Sequence, residues 1–458
     1  MTRRRCVLTA TLLALALTAT ETARAIGPWE NHVDPSAITE IVHDGGRLYM
    51  PTLGGLLVYD IAADRFTQFD NADGLPSISL TSLALDPSGA IYLGTADIGI
   101  VKVRITTGGL QRLRSFSEQI DGLSDNRIRS VSWWRDRIVY GTEVGMGTIL
   151  NDFAAATWLV RDGLPSDVVN DVLPVDDFVW VATDGGVVVL DEFGIVRSVT
   201  GAPGEANVIG TDGATVWVGT DTGVQRFDPA DSSWTNLGLD NPPRPIHSFF
   251  HDGADMWAAD RFLLHRYLGS GQNWALARMD SLVIRQELTG ARLEARGLFV
   301  DAGGVAYVGT GNLSDRRGLN LVRFDGTVMD QLVPSAPAAG NILRLSLDVD
   351  GSLWASFFAY YVGKLMPDGN WVNYNSSIPA SDSLSSQYAN LTCFADSRGI
   401  KWFCTLSTPT APVPLDRLDD GLDTDYGNDA WAHWGVGSGG GDGLGSLRLQ
   451  RATEDPAG

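Results

Sequence analysis

The chain has 458 residues, 44% hydrophobic and 19% charged, with 52 Gly, 14 Trp and three Cys. Such a length exceeds the roughly 250 to 300 residues at which one core stops growing, so two domains or a large repeat array is expected, turn-rich and globular rather than disordered. A formal charge of −21 argues against nucleic acid and anionic lipid as partners; it suits a cationic ligand, a divalent metal or a basic protein face, and equally a surface that only keeps the protein in solution.

In chain order, residues 1–25 read as a cleaved signal peptide. Arg3, Arg4 and Arg5 form a basic start, Val7 to Leu17 an apolar run, and Ala23-Arg24-Ala25 a cleavage site. The run is too short to cross a bilayer, and no later stretch offers 18 uninterrupted apolar residues. The mature chain is therefore expected to lack a membrane span and to sit in the periplasm, at the cell surface or outside the cell. Cleavage removes Cys6 and leaves Cys393 and Cys404 on the two strands of one predicted hairpin, where a disulfide is compatible with an oxidising compartment. The intervening Asp396-Ser397-Arg398-Gly399 turn makes them diagonal neighbours, about 7 to 8 Å apart and near the limit for bridging.

The mature sequence repeats. One unit is Leu83-Ala84-Leu85-Asp86-Pro87-Ser88-Gly89-Ala90-Ile91-Tyr92-Leu93-Gly94-Thr95: an alternating apolar strand, a turn ending in Gly, then a strand closing on aromatic-x-Gly-Thr. Its last residue recurs as Thr52, Thr95, Thr142, Thr183, Thr220, Asp260, Thr310, Phe357 and Thr405, at intervals of 37 to 50 residues. Those intervals match a four-stranded propeller blade, and the period-two alternation excludes helical repeats. A Gly-led third strand follows, as in Gly185-Gly186-Val187-Val188-Val189-Leu190, and then a short outer strand bearing Trp158, Trp234, Trp274 or Trp371. The predicted fold is thus all-β: four-stranded antiparallel blades, about seven in a first propeller over 26–337, with a second propeller starting at 338 and broken off mid-blade by 458. Trp29-Glu30-Asn31 resembles the outer-strand piece Trp234-Thr235-Asn236, so the N-terminus is expected to latch a ring with an outer strand.

Three connectors are more specific: Asp73-Gly74-Leu75-Pro76-Ser77, Asp121-Gly122-Leu123-Ser124-Asp125-Asn126 and Asp162-Gly163-Leu164-Pro165-Ser166. With the D-x-x-G…W-x-G-T core, the chain resembles the two-component regulator propeller repeat family, found in periplasmic sensor regions of hybrid histidine kinases and in PorZ-type surface proteins of type IX secretion. The resemblance runs from Ile38 to Gly458 and weakens in copies six to nine, which lack the DGLP connector. It implies fold and compartment and leaves the ligand open; without a kinase or DNA-binding segment in this sequence, the sensor-kinase role is not carried over. Turn geometry and packing explain the motif without a ligand: Gly for positive φ, Pro for fixed φ, Leu between blades. The repeated Thr and Trp are read as packing and inter-blade hydrogen bonding.

No HExxH, GxSxG, P-loop or CxxC pair occurs. His247 and His251, on one face of a strand, would lie about 13 Å apart, too far to share a metal. Asp423, Asp425 and Asp429 form a candidate calcium loop, yet Asn428 and Trp434 stand where an EF-hand needs Gly and Glu; a solvated acidic loop explains them as well. No other cofactor is expected. Propeller ligands bind where inner strands begin around the channel, which nominates Asn126, Arg127, Asn207, His247, Arg296, Asn341 and Asn390. The function expected is a non-catalytic module holding a glycan, peptide or protein outside the cytoplasm. The alternative is a propeller lyase or glycosidase whose acids gather only in three dimensions.

Overall fold

The structure, a computed structural model, describes residues 32–238, 245–260, 263–269, 274–278, 294–311, 320–327, 329–336, 342–357, 361–375, 390–405, 415–422 and 429–434. These form nine four-stranded sheets, each a meander of consecutive antiparallel strands. They span 42–69, 80–116, 128–158, 169–198, 208–236, 248–278, 294–332, 342–375 and 390–434, and are called sheets one to nine below.

Each repeat motif has a local physical cause. In the hairpin between first and second strands, the turn aspartate accepts the backbone N–H groups that tighten the turn: Asp86 from Ser88 and Ala90, Asp191 from Phe193 and Ile195. In later sheets its second oxygen takes the indole N–H of the aromatic that defines the repeat, as in Asp212 with Trp217, Asp252 with Trp257 and Asp348 with Trp354. The closing threonine turns the chain between second and third strands. Thr52, Thr95, Thr142, Thr183 and Thr220 each donate Oγ1–H to the carbonyl of a glycine at, or immediately before, the start of the third strand. These bonds lie inside one sheet, so the inter-blade role expected for the threonine is corrected: a hydroxyl at a tight turn finds its nearest acceptor three or four residues away.

The DGLP connectors behave as packing devices. Gly74, Gly122 and Gly163 adopt φ of 96, 81 and 110°, and Leu75, Leu123 and Leu164 are 2 to 3% exposed. Each leucine joins a core shared by two successive sheets. The same sharing runs from four to five, five to six and six to seven. A separate core joins eight and nine.

Sheet seven meets sheet one as consecutive sheets meet. Leu48, Met50, Leu57 and Tyr59 of the first, with Ile38 just before it, pack with Phe299, Tyr307 and Leu321 of the seventh. Elsewhere the N–H opening a third strand donates to the incoming connector: Gly55 to Ile78 O, Gly99 to Asn126 O, Gly145 to Asp167 O. In sheet seven Asn320 takes that place, at φ 59° where the others have glycine, and donates to Ser36 O. Residues 36–38 thus stand to sheet seven as each connector stands to the sheet before it. The predicted outer-strand latch, Trp29-Glu30-Asn31, lies outside the described residues.

The sheet-nine hairpin corrects the cysteine reading. Cys393 pairs with Phe403 and Thr392 with Cys404. Side chains alternate along a strand, so the two thiols project from opposite faces. Neither is in a disulfide and both are buried, and burial pushes each thiol pKa up to about 11.

Candidate functional site

A cavity of about 530 Å³ is lined by the first-strand region of each of sheets one to seven. Its wall is set by a recurring irregularity. The first strands of sheets two, three, four and seven each carry a β-bulge, which leaves Thr81, Arg129, Asn170 and Arg296 unpaired in the ladder. A bulge re-aims a side chain that regular pleating would direct into the core, and all four line the cavity.

The residue after the bulge binds sheet to sheet. Glu40 Oε2 accepts Ser82 Oγ–H and Leu83 N–H, each at 2.8 Å. Ser82 Oγ in turn accepts Val131 N–H at 3.0 Å. Ser130 donates Oγ–H to Asp171 Oδ1 at 2.7 Å and accepts Val172 N–H at 3.2 Å; Asp171 Oδ2 accepts Ile209 N–H at 2.9 Å. One polar position, occupied by Glu40, Ser82, Ser130 and Asp171, thereby bonds successive sheets from one to five. Burial, with the nearby Asp171 carboxylate, pushes Glu40 up to about 7 against the pull of its two hydrogen bonds. Burial also raises Asp171, against its bonds from Ile209, Ser130 and Val172.

Arg127, Asn207, His247 and Arg296, nominated from sequence, line this cavity together. Arg127 pairs with Asp125 and Glu143, and Arg129 also reaches Glu143 at 3.5 Å. Asn207 donates to Asp221 at 2.9 Å, and Asn170 to Asp184 at 2.8 Å. Arg296 pairs with Glu294, which lies 3.7 Å from His247 Nε2. Burial, then Arg296, lowers the His247 pKa, so the imidazole is neutral at pH 7.

Two nominations stand elsewhere. Asn126 is not in the wall; its amide holds the preceding connector by accepting from Glu118 N–H and donating to Gln119. Asn390 opens the first strand of sheet nine, paired with Thr405, and Asn341 lies outside the described residues. Of the candidate calcium ligands, Asp423 and Asp425 also lie outside them, and Asp429 precedes the last strand. Among the described residues no group of three or more His, Cys, Asp or Glu is placed to hold a metal.

Reading the sequence missed Glu40, Thr81, Ser82, Arg129, Ser130, Asn170 and Asp171. The signal was a polar residue at one register of otherwise apolar strands: Ile38-Thr39-Glu40-Ile41, Leu80-Thr81-Ser82-Leu83, Ile128-Arg129-Ser130-Val131 and Val169-Asn170-Asp171-Val172.

Sheets of this topology, sharing cores in succession around a common cavity, define a β-propeller protein. Comparison with solved structures agrees. The chain matches the extracellular domain of the putative hybrid two component system BT3049 from B. thetaiotaomicron at 18% identity and TM-score 0.51, over 85% of this chain and 52% of that one. It matches PorZ, a bacterial surface component of the type-IX secretion system of Porphyromonas gingivalis, at 12% and 0.56, over 90% and 60%. A GH74 enzyme from Niastella koreensis matches at 11% and 0.51, over 88% and 73%. At these identities the likeness is one of fold, and the chain spans about half the length of the first of these. No family model matches the sequence, and no curated relative does either.

Proposed function

We propose that the chain is an extracytoplasmic binding module in which sheets one to seven close a propeller around the shared cavity, while sheets eight and nine belong to a second ring. The carrying observation is the cavity wall: seven inner strands contribute polar side chains that differ from sheet to sheet, which suits one asymmetric ligand or the tip of a partner. The compartment is supported by the N-terminal segment, whose basic Arg3-Arg4-Arg5 start, apolar Val7 to Leu17 run and Ala23-Arg24-Ala25 site read as a signal peptide. The second ring is supported by sheet eight. Leu345 occupies the register of Leu83, Val131, Val172 and Leu298, which are 1 to 3% exposed against the preceding sheet, whereas Leu345 is 54% exposed.

The binding reading is tested by titrating the protein with surface glycans and peptides, beside an Arg127→Ala/Asn207→Ala variant. Saturable binding that the variant loses supports it. Absence of binding to every glycan and peptide tested contradicts it.

A glycosidase remains the second reading because two raised carboxyls share the cavity, the pattern of an acid–base pair. Asp171, however, already accepts three hydrogen bonds, two of them from neighbouring sheets. Turnover of aryl glycosides that Glu40→Gln abolishes would favour catalysis.

A further inference from the structure

Where sheets seven, one and two meet, one stretch of the cavity wall carries two enclosed polar side-chain atoms without hydrogen-bond partners. Arg296 Nε and Thr81 Oγ1 are enclosed without a partner. They stand either side of Glu40. The glycine after Arg296 packs on the Glu40–Ile41 backbone so closely that a Cβ on Gly297 would lie 2.6 Å from Ile41 N and 2.8 Å from Glu40 C. The carboxylate of Glu40 is bonded to Ser82 and Leu83, next to Thr81. Both hydrogen bonds to Glu40 fall on Oε2, and in its neutral form the carboxyl adds an O–H to the same wall.

Three arginines, Arg127, Arg129 and Arg296, line the cavity of a chain with 34 basic and 55 acidic residues. Arg127 pairs with Asp125 and Glu143, Arg129 with Glu143 and Arg296 with Glu294, and burial raises the pKa of Glu40 and of Asp171 in the same wall.

We propose that the junction of sheets seven, one and two seats the anionic group, carboxylate or phosphate, of a compact ligand, with Arg296 as its cation and Thr81 and Glu40 as neutral donors. The inference rests on the binding-module reading and names the chemistry of its ligand. Arg296 pairs with Glu294 through its terminal nitrogen Nη2, which leaves Nε–H for the anion. Binding is linked to proton uptake, because ionised Glu40 repels the anion. The charged or titratable groups that share the cavity with Glu40 are Asp171, Arg127, Arg129, Glu143, His247 and Arg296, with Glu294 paired to Arg296; burial and then Arg296 lower the His247 pKa.

The probe is sulfate, whose own charge is constant between pH 6 and 8, titrated calorimetrically against the full chain at constant ionic strength in chloride. The expected result is binding at least tenfold tighter at pH 6 than at pH 8, a flat profile in Glu40→Gln, and a tenfold or greater loss in Arg296→Gln that Arg296→Lys partly restores. Thermal unfolding of each variant reports that it is folded. Sulfate binding no stronger than chloride, or unchanged in Arg296→Gln, overturns the proposal. Binding of the neutral disaccharide trehalose in the absence of sulfate binding also overturns it, while leaving the binding-module reading intact.

Discussion

At the scale of single residues, Glu40 is the most consequential side chain that sequence inspection passed over. A carboxyl whose pKa rises on folding favours the folded state while protonated: the contribution is full below about 4.5, its unfolded value, and is lost as pH climbs through about 7. The limit is about 3 kcal/mol at one proton per 1.36 kcal/mol and pKa unit. His247 works in the opposite sense, its stabilisation appearing as pH rises through its unfolded value. Comparing wild type with Glu40→Gln isolates the glutamate. The wild-type melting temperature should fall relative to the variant between pH 5 and pH 8; parallel curves would show that Glu40 titrates normally. Leu164 supplies a second test. It is 3% exposed between sheets three and four, so Leu164→Ala should cost about 2 to 4 kcal/mol in denaturant unfolding.

At the scale of elements, the repeat was legible because turn chemistry is local. An aspartate two to four residues from the N–H groups it accepts, or a glycine at positive φ, leaves its mark in consecutive letters, and so strand order and the connector leucines could be read directly. What could not be read was anything that depends on register across strands. The bulges that turn Thr81, Arg129, Asn170 and Arg296 into the cavity are fixed by pairing with the second strand. The cysteine hairpin failed for the same reason, since one residue of register decides which face a thiol takes.

Sheets eight and nine show a further long-range feature. Lys364 and Lys401, both fully buried, meet Asp420, Asp348 and Asp350 around Trp354, with Lys364 2.6 Å from Asp420 and Lys401 2.8 Å from Asp348. Removing one cation strands buried carboxylates, at about 3 to 5 kcal/mol. Lys401→Met should therefore lower the melting temperature and accelerate amide exchange in 342–434. Exchange unchanged there would mean that the ion network contributes no net stability.

At the scale of the whole molecule, cation–carboxylate pairs repeat the seam argument. Lys102 of sheet two reaches Asp152 in the third-to-fourth-strand turn of sheet three, and Lys364 of sheet eight reaches Asp420 in the matching turn of sheet nine. Arg323 of sheet seven approaches Asp64 of sheet one at 3.9 Å. The same pair therefore recurs where residues far apart in sequence meet. A sequence read from left to right shows nine copies; which copy touches the first is set by where the curvature of stacked blades brings a sheet back to the start. That is why the seven-sheet grouping rested on an expectation about closure rather than on any residue.

Amide hydrogen exchange over residues 36–53 tests the closed ring most directly. Ile38 N–H donates to Thr310 O, Thr39 N–H to Pro51 O and Leu53 N–H to Ala37 O, so a ring closed between sheets seven and one predicts protection there equal to that of the matching segment, 78–96. Exchange of 36–41 at the rate of an open chain, with 78–96 still protected, would contradict the seven-sheet ring and the cavity built on it.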